Sequence, residues 1–294
     1  MLRQARPFPS SVVAVVALLA LAIASFADPA AAASDLKRAS HFAEQLSVQT
    51  QKMSTASLLV VLGIDKAQNL DTLSKSREVF GRVFKALRDG DSAMGLSPRT
   101  EPNVLKLLAE VEALWPQFDA VIRSGLDSGD FSTEQVAAIG NLNEPLFEAT
   151  HEMAAAFHQR ANEKQLRSML EVAAEQVEDQ TWRLQKMSKQ FLLIAAGHNV
   201  ERNRKDLSDT SAEFSRSLLG LIEGDPESKL LPAPSPEIRA QLRKVERLWD
   251  EFLPLVKSPA EGGKPAPEDI QRLAQLMSPL DKELQATAEM FEEL

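Results

Sequence analysis

The sequence predicts an all-α protein made of two tandem four-helix bundles that are joined end to end by a long shared helix. Three observations support this prediction. Apolar residues recur at helical intervals, whereas the alternating pattern of β-strands is absent and the chain contains no tyrosine. A pattern of residues in the first half reappears in the second half without a gap. Neither proline nor glycine occurs between Leu146 and Ala196, so nothing marks a break between the halves.

The internal repeat is clearest at Gln51-Lys52-Met53-Ser54, which reappears 134 residues later as Gln185-Lys186-Met187-Ser188. The same offset relates many further residues: Gly63 and Gly197, Asn69 and Asn203, Phe80 and Phe214, Gly90 and Gly224, Trp115 and Trp249, Pro145 and Pro279. Repeats of this length are long enough to fold as separate domains. The sequence therefore predicts a duplicated domain, with one bundle over residues 34–160 and the other over 161–294.

The first 33 residues have the composition of a secretory signal peptide. Arg3 and Arg6 precede an apolar run from Val12 to Phe26, and four alanines then lead to a cleavage site before Ser34. We expect a soluble, exported protein, periplasmic in a bacterial cell. Cleavage after Ala27, or retention of the segment as a membrane anchor, are the alternatives.

Charge and cysteine content exclude several classes of function. The formal net charge is −9, and removing the leader, which carries +1, leaves −10. An acidic protein is not suited to nucleic acid or to anionic membranes. Because the chain has no cysteine, disulfides, zinc–thiolate sites and thiol nucleophiles are excluded.

Each repeat predicts four amphipathic helices. In the first repeat the predicted helices are Asp35–Leu62, Leu70–Leu87, Val104–Val121 and Val136–Phe157. The first is ended by Gly63 and Asp65, and the second by Asp89-Gly90-Asp91. A turn over Ser124–Asp130 follows the third, and Ser132 or Thr133 caps the fourth. Leu96 is predicted to fold over the open end of the bundle, since Leu230 repeats it. In the second repeat a loop over Pro259–Pro267 precedes the last helix, Ile270–Phe291.

The segment Leu146–Ala196 predicts one helix of ~50 residues, about 75 Å long. Such a helix would stack the bundles into a rod and leave each first helix free, so we expect a homodimer that covers them. In the alternative, the helix breaks near Asn162 and the bundles fold back side by side, which needs no partner chain.

The run from Gln51 to Gly63 resembles the first helix of the PilJ-type sensor domain. This is the N-terminal module of type IV pilus methyl-accepting chemotaxis transducers, and it is related to the sensor of NarX-type nitrate/nitrite histidine kinases. Gly90-Asp91 with Gly95-Leu96, Pro98 and the Val111–Trp115 segment agree with the same family, and their counterparts in the second repeat agree as well.

The resemblance implies an extracytoplasmic four-helix sensor whose first helices meet across a dimer. In the nitrate sensors an arginine on that helix holds the anion. In this register that arginine falls at Ser47 and Thr181, which carry no charge, and Lys52 and Lys186 replace a second arginine. Since lysine does not reproduce the planar, bidentate contacts of arginine, the resemblance does not specify nitrate.

Six residues are the candidate ligand-binding set: Ser47, Gln51, Lys52, Thr181, Gln185 and Lys186. The two lysines could line a polar pocket and hold an anion. Alternatively, they lie on solvated faces or pair with acidic residues of neighbouring helices. The two glutamines are either ligand donors or buried polar spacers, and Met53 and Met187 are interpreted as core residues.

Other chemistry is not indicated. His151 and His158 are seven residues apart, whereas metal ligands on one helix are usually three or four apart, so neither a metal nor haem or another cofactor is predicted. Trp115 and Trp249 repeat as packing anchors. The sequence has no glycine-rich phosphate loop, nucleophile elbow or His-Glu-x-x-His motif, which predicts a protein that is not an enzyme.

The sequence thus predicts an exported, non-enzymatic sensor-like module that detects a small ligand, with an anion as one candidate. No kinase or methyl-accepting segment follows the last predicted helix, so we expect a membrane-bound partner protein to carry the signal. The alternative is a helical rod of the cell envelope that serves structure or protein interaction and binds no small ligand.

Overall fold

A computed structural model of the 294-residue chain describes residues 29–162 and 169–293. These residues form eight α-helices: α1 Pro29–Val61, α2 Lys66–Asp89, α3 Pro102–Ser128, α4 Thr133–Asn162, α5 Met169–Ala195, α6 Val200–Glu223, α7 Pro236–Ala260 and α8 Pro267–Glu292. Pairing of β type within these ranges is limited to two isolated bridges, Asp91 with Leu96 and Asp225 with Leu230. The prediction of an all-α protein with four helices per repeat is confirmed.

The helix boundaries differ from the predictions by a few residues. The first helix already begins at Pro29, so the predicted cleavage before Ser34 falls inside α1. The predicted signal peptide otherwise lies outside the described residues. The third helix continues to Ser128, which shortens the predicted turn over Ser124–Asp130. Ser132 caps α4 as predicted, because its hydroxyl accepts a hydrogen bond from the backbone N–H of Gln135 at 3.3 Å.

The turn after each first helix has the same backbone geometry in both repeats. Gly63 and Gly197 have φ angles of 72° and 73°, and Asp65 and Asn199 have φ angles of 40° and 44°. Aspartate and asparagine tolerate this left-handed region better than most residues with a Cβ atom. The predicted break at Gly63 and Asp65 is therefore confirmed, and the second repeat reproduces it.

The core of each bundle is also repeated. The rings of Phe80 and Trp115 stack with centroids 4.0 Å apart, and those of Phe214 and Trp249 stack at 4.1 Å. Such contacts between aromatic rings stabilise a core beyond the area that they bury. The interpretation of the two tryptophans as packing anchors is confirmed.

The connection after α2 closes the end of the first bundle. Leu96 pairs with Asp91 and is only 4% exposed, as Leu230 is in the second repeat, so the predicted packing of both leucines is confirmed. Gly90 has a positive φ of 82° with an extended ψ of 155°, so its conformation is not left-handed helical. A Cβ atom at this position would lie 2.7 Å from the ring of Pro98, so only glycine fits here.

The two bundles lie side by side, which corrects the expectation of a rod joined end to end. In each repeat the four helices pack in a ring, and α1 of the first bundle packs along α5 of the second. Early in the two helices His41 contacts Glu178, and further along Thr55 contacts Gln185, so α1 and α5 run in the same direction. The last helix of the first bundle runs opposite to α1, as contacts from Ser40 to Ala154 and from Thr50 to Asn143 show.

Helices α4 and α5 therefore run in opposite directions, so one continuous helix from Leu146 to Ala196 does not form. This is the fold-back alternative, and the break that it predicts near Asn162 concerns residues 163–168, which lie outside the described ranges. The side-by-side arrangement packs α1 against α5, and tertiary packing of this kind outweighs local helical propensity. The argument for a homodimer loses its basis, since one chain covers both first helices.

Candidate functional site

The contact between α1 and α5 contains buried polar residues. Gln51 and Thr55 lie one helical turn apart on α1, and both are buried. The hydroxyl of Thr55 donates to the backbone carbonyl of Gln185 at 3.3 Å and so connects the two helices directly. Because buried polar groups cost free energy unless they are paired, this seam is not explained by packing alone.

Lys52 lies at the edge of the seam. Its Nζ is 3.0 Å from Oδ2 of Asp281 on α8, and both side chains are largely buried. The same Oδ2 accepts a hydrogen bond from Gln285 at 2.9 Å, whereas Oδ1 accepts one from Gln185 at 3.5 Å, the outer limit of such a bond. The first helix of repeat one is thereby joined to the last helix of repeat two.

A cleft with a volume of ≈ 260 Å³ opens beside this ion pair. Both repeats contribute to it, through α1, the start of α2, α5 and α8. Its main polar residues are Lys52, Thr55, Gln68, Gln185, Ser278 and Asp281. Its apolar residues are Ala56, Leu59, Ala274 and Met277. We call it the open cleft. It is smaller than a typical pocket for a drug-sized molecule and has the dimensions for a small metabolite.

The corresponding place in the other half is closed by a lysine. Lys189, which the repeat offset equates with Thr55, is 3% exposed, and its Nζ lies 2.8 Å from Oδ1 of Asn143 and 3.0 Å from Oε2 of Glu144. Lys186, the counterpart of Lys52, binds the other oxygen of Glu144 at 3.0 Å. We call Asn143, Glu144, Lys186 and Lys189 the filled site.

The charges of the filled site are strongly coupled. Burial by itself would raise the pKa of Glu144, but Lys189 and Lys186 outweigh it and lower that pKa to about 2. Burial lowers the pKa of Lys189, and Glu144 partly opposes that shift. Lys186 also lies 5.2 Å from the centre of the Phe147 ring, within the range of a cation–π interaction.

The six candidate residues do not form one group. Lys52 and Gln185 line the open cleft, and Lys186 belongs to the filled site. Ser47 lies inside the first bundle, where its hydroxyl donates to Thr150 at 3.0 Å, and Thr181 is half-buried and does not line the open cleft. Both lysines pair with acidic residues of neighbouring helices, which was the alternative interpretation of their recurrence.

Gln51 is fully buried, and neither atom of its side-chain amide has a hydrogen-bond partner within the described residues. The amide of Gln190 on α5 is in the same situation. Gln51 is one helical turn from Thr55, on the face of α1 that packs against α5. The unpaired amide of Gln51 thus lies in the region between the bundles.

The sequence analysis missed Asp281, Glu144 and Lys189. The two acids are not equivalent under the repeat, since the offset equates Asp281 with Phe147 and Glu144 with Ser278. A search for repeated residues therefore passes over both. A signal for Lys189 was present, because it follows Lys186 by three residues and so shares its helix face.

A second buried polar group lies nearer the start of α1. The carboxylate of Glu44 is within 3.9 Å of His158 and 4.0 Å of His151. Burial raises the pKa of Glu44 well above its usual value, and the charges of Asp179 and Glu178 raise it further. Burial also lowers the pKa of His151. Across the described ranges, no three His, Asp or Glu side chains are grouped so that they could hold a metal ion.

The fold and the cleft together define a class: paired four-helix bundles in which a small polar cleft is shared between the two halves. The family model for the N-terminal domain of the type IV pili methyl-accepting chemotaxis transducer, PilJ, matches residues 43–140 and 173–269. The chain therefore belongs to the PilJ family and carries two copies of its domain in tandem. No curated protein matches the sequence.

Membership of this family gives the class of the protein. PilJ domains are extracytoplasmic, non-enzymatic sensory modules of chemotaxis transducers. None of the helices within residues 29–162 and 169–293 is long and apolar enough to cross a membrane.

Proposed function

We propose that this protein is a periplasmic, non-enzymatic sensor module that binds a small ligand in the open cleft and passes the signal to a membrane-bound partner protein. Two lines of support are the family, whose members are sensory domains of chemotaxis transducers, and the predicted signal peptide. The observation that carries the proposal is the composition of the open cleft, to which both repeats contribute.

A cleft between two bundles provides a physical route from ligand to signal. A ligand that contacts Lys52 on α1 and Asp281 on α8 touches both repeats at once. It therefore binds best in one relative position of the two bundles, and it shifts the population toward that position by its difference in affinity. The α1–α5 contact is the element that would move, and the unpaired buried amide of Gln51 makes it less rigidly specified than a fully paired core.

The test is a thermal-shift screen of small metabolites, anions, amines and amino acids against two variants. In the first, Thr55→Lys with Ser278→Glu, the open cleft acquires the lysine and the glutamate of the filled site. In the matched control, Thr100→Lys with Ser92→Glu, the same chemical changes are made at exposed positions of a loop. We expect ligands that stabilise the wild type and the control and leave the first variant unchanged.

The competing function is a structural or interaction module without a small ligand. The pairing of both lysines with acidic residues favours it, because those ion pairs give a structural reason for the repeated lysine. If no compound in the screen stabilises the wild type, and Lys52→Ala and Lys186→Ala change stability alone, this function replaces the sensor.

A further inference from the structure

The two halves of the molecule offer an internal comparison for the chemistry of the ligand. In the filled site, one carboxylate receives two ammonium groups. Lys186 binds Oε1 of Glu144 and Lys189 binds Oε2, each at 3.0 Å. The second ammonium also donates to the side-chain oxygen of Asn143 at 2.8 Å. The repeat unit is therefore able to hold a primary ammonium group against a carboxylate at this place.

The open cleft has the first of these two ammonium groups and lacks a lysine for the second. Lys52 binds Oδ2 of Asp281, as Lys186 binds Oε1 of Glu144. The other oxygen, Oδ1, has a long contact of 3.5 Å with Gln185. At the position of Lys189 the first repeat has Thr55, whose short side chain leaves the volume of the cleft beside the carboxylate.

The net charge of the open cleft also favours a ligand with an ammonium group. Its lining contains one lysine and two aspartates, Lys52, Asp65 and Asp281, which gives a formal charge of −1. The charge of Lys52 is already offset by its pairing with Asp281. The remaining negative charge is that of Asp65, which is exposed, so the net charge of the lining favours a cation over a small anion.

We propose that the ligand carries a primary ammonium group, which binds Asp281 at Oδ1 as Lys189 binds Glu144 in the filled site. This rests on the proposed function, and it narrows the ligand to small aliphatic amines and amino acids. The amide and hydroxyl groups of Gln68, Thr72 and Ser278 face the same volume and are available for the polar remainder of such a molecule. Lys52 is available for a carboxylate if the ligand has one.

The experiment uses matched pairs of probes on the full mature chain, measured by calorimetry and by thermal shift. Butylamine is compared with butanol, and 4-aminobutyrate with butyrate, so that each pair differs only at the nitrogen. Sodium nitrate and sodium acetate represent anions. We expect binding by the compound with nitrogen in each pair and not by its partner.

Asp281→Asn is the discriminating variant, because it keeps the shape and removes the charge. An ionic hydrogen bond is worth about 1.5–3 kcal/mol, so the affinity for the amine should fall by about tenfold to a hundredfold. Asp71→Asn makes the same change on the exposed surface of α2, outside the open cleft, and should leave the affinity unchanged.

The outcomes separate the two proposals. The ammonium inference is overturned, and the sensor function remains, if nitrate, acetate or butyrate binds and the amines do not. In that case the Thr55→Lys, Ser278→Glu variant should abolish the binding of the anion. Binding of amines that Asp281→Asn does not weaken also overturns the inference. If nothing in the probe set or in the wider screen binds the wild type, the sensor function itself fails. The measurements on the wild type, in which each amine is compared with its partner without nitrogen, test both proposals even if a variant does not fold.

Discussion

The open cleft and the filled site come from one repeated unit, and they differ at Thr55 and Ser278, which correspond to Lys189 and Glu144. Thr55 in the first repeat uses its hydroxyl to reach the backbone of Gln185, and the space next to it remains accessible. Lys189 in the second repeat extends into the corresponding space and binds two polar partners there. Duplication has thus produced two versions of one place, one closed by a lysine of the chain itself and one that remains an open cleft.

The difference indicates how a duplicated domain divides its tasks. In the filled site a buried network of four side chains holds α4 to α5, and each charge has a partner of opposite sign. In the open cleft a single lysine holds α1 to α8. We infer that the filled site serves stability and the open cleft serves binding, since a site that must respond to a ligand cannot be as tightly paired as a structural one.

The comparison first requires that α1 and α5 pair within one chain. We expect sedimentation equilibrium to give the mass of a single chain, at most 32.3 kDa, at all concentrations. Small-angle scattering should show a particle about as long as one bundle, about 40–50 Å, rather than a rod of twice that length. A stable dimer, or a rod of about 80–90 Å, would mean that the first helices are covered by a second chain and would break the comparison.

The largest expected change in stability comes from the filled site. Lys189→Met leaves Glu144 buried with one cation and removes the partner of Asn143. Loss of one partner from a buried pair costs about 3–5 kcal/mol, and because Lys186 remains we expect the lower end, about 3 kcal/mol of unfolding free energy by urea denaturation.

The matched change in the open cleft is Lys52→Met, and it should cost only about 1 kcal/mol. Asp281 keeps its hydrogen bond from Gln285 and is 16% exposed, so its charge is not left without support. Equal losses in the two variants would show that the open cleft and the filled site do not differ in stability.

A double variant of the filled site, Lys189→Met with Glu144→Gln, should recover part of the stability that Lys189→Met loses, because it removes the carboxylate charge left behind.

The pH dependence of the filled site is the next largest effect. The pKa of Glu144 is about 2 in the folded protein, below its usual value near 4.5, so the carboxylate stabilises the fold above that usual value. This stabilisation, on the order of 2–3 kcal/mol, should disappear as the pH falls from about 4.5 toward 2. The difference in unfolding free energy between the wild type and Glu144→Gln, measured across this range, should fall accordingly. A difference that is independent of pH would contradict the assignment.

Much of this fold could be predicted from the sequence, because the features concerned depend on residues that are close together in the chain. The helices, their breaks at Gly63 and Asp65, and the packing of Leu96 follow from spacing and backbone preference within a few residues. The arrangement of the two bundles could not be predicted in the same way. The absence of helix breakers between Leu146 and Ala196 favoured a straight helix, but packing of α1 against α5 decided the outcome, and that contact joins residues more than a hundred positions apart.

The candidate site was predictable only in part for a similar reason. The repeat drew attention to Lys52 and Gln185, which line the open cleft. It could not supply Asp281 or Glu144, because each acid occurs in one repeat alone and reaches its lysine across the bundle interface. Ser47 and Thr181 were chosen by their register in the family, and they lie away from the open cleft because they occupy other faces of the same helices.

A change of opposite sign is expected at Glu44, at the other end of the α1–α5 contact. Burial raises the pKa of Glu44, so the charged carboxylate destabilises the fold and the protonated carboxyl is favoured in the folded state. The stability that protonation contributes is complete below the usual carboxyl pKa, and it is lost as the pH rises through the raised pKa. Glu44→Gln should increase the free energy of unfolding at pH 7 by at least about 1 kcal/mol. A loss of stability at pH 7 would indicate that His151 and His158 hold the carboxylate as an ion pair.

The smallest expected effect tests the seam itself, at Gln51 and its repeat counterpart Gln185. Gln185 donates to Asp281, whereas the amide of Gln51 is fully buried and has no partner in the described part of the chain. Replacing an unpaired buried amide by an apolar side chain of similar size removes a desolvation cost, so Gln51→Leu should stabilise the protein by about 1 kcal/mol. Gln185→Leu should be neutral or lose a few tenths of a kcal/mol with its long hydrogen bond. Thermal denaturation of the two variants side by side measures the contrast. A clear loss of stability in Gln51→Leu would show that its amide is paired in solution, and the region between the bundles would then be a second polar site rather than a strained part of the interface.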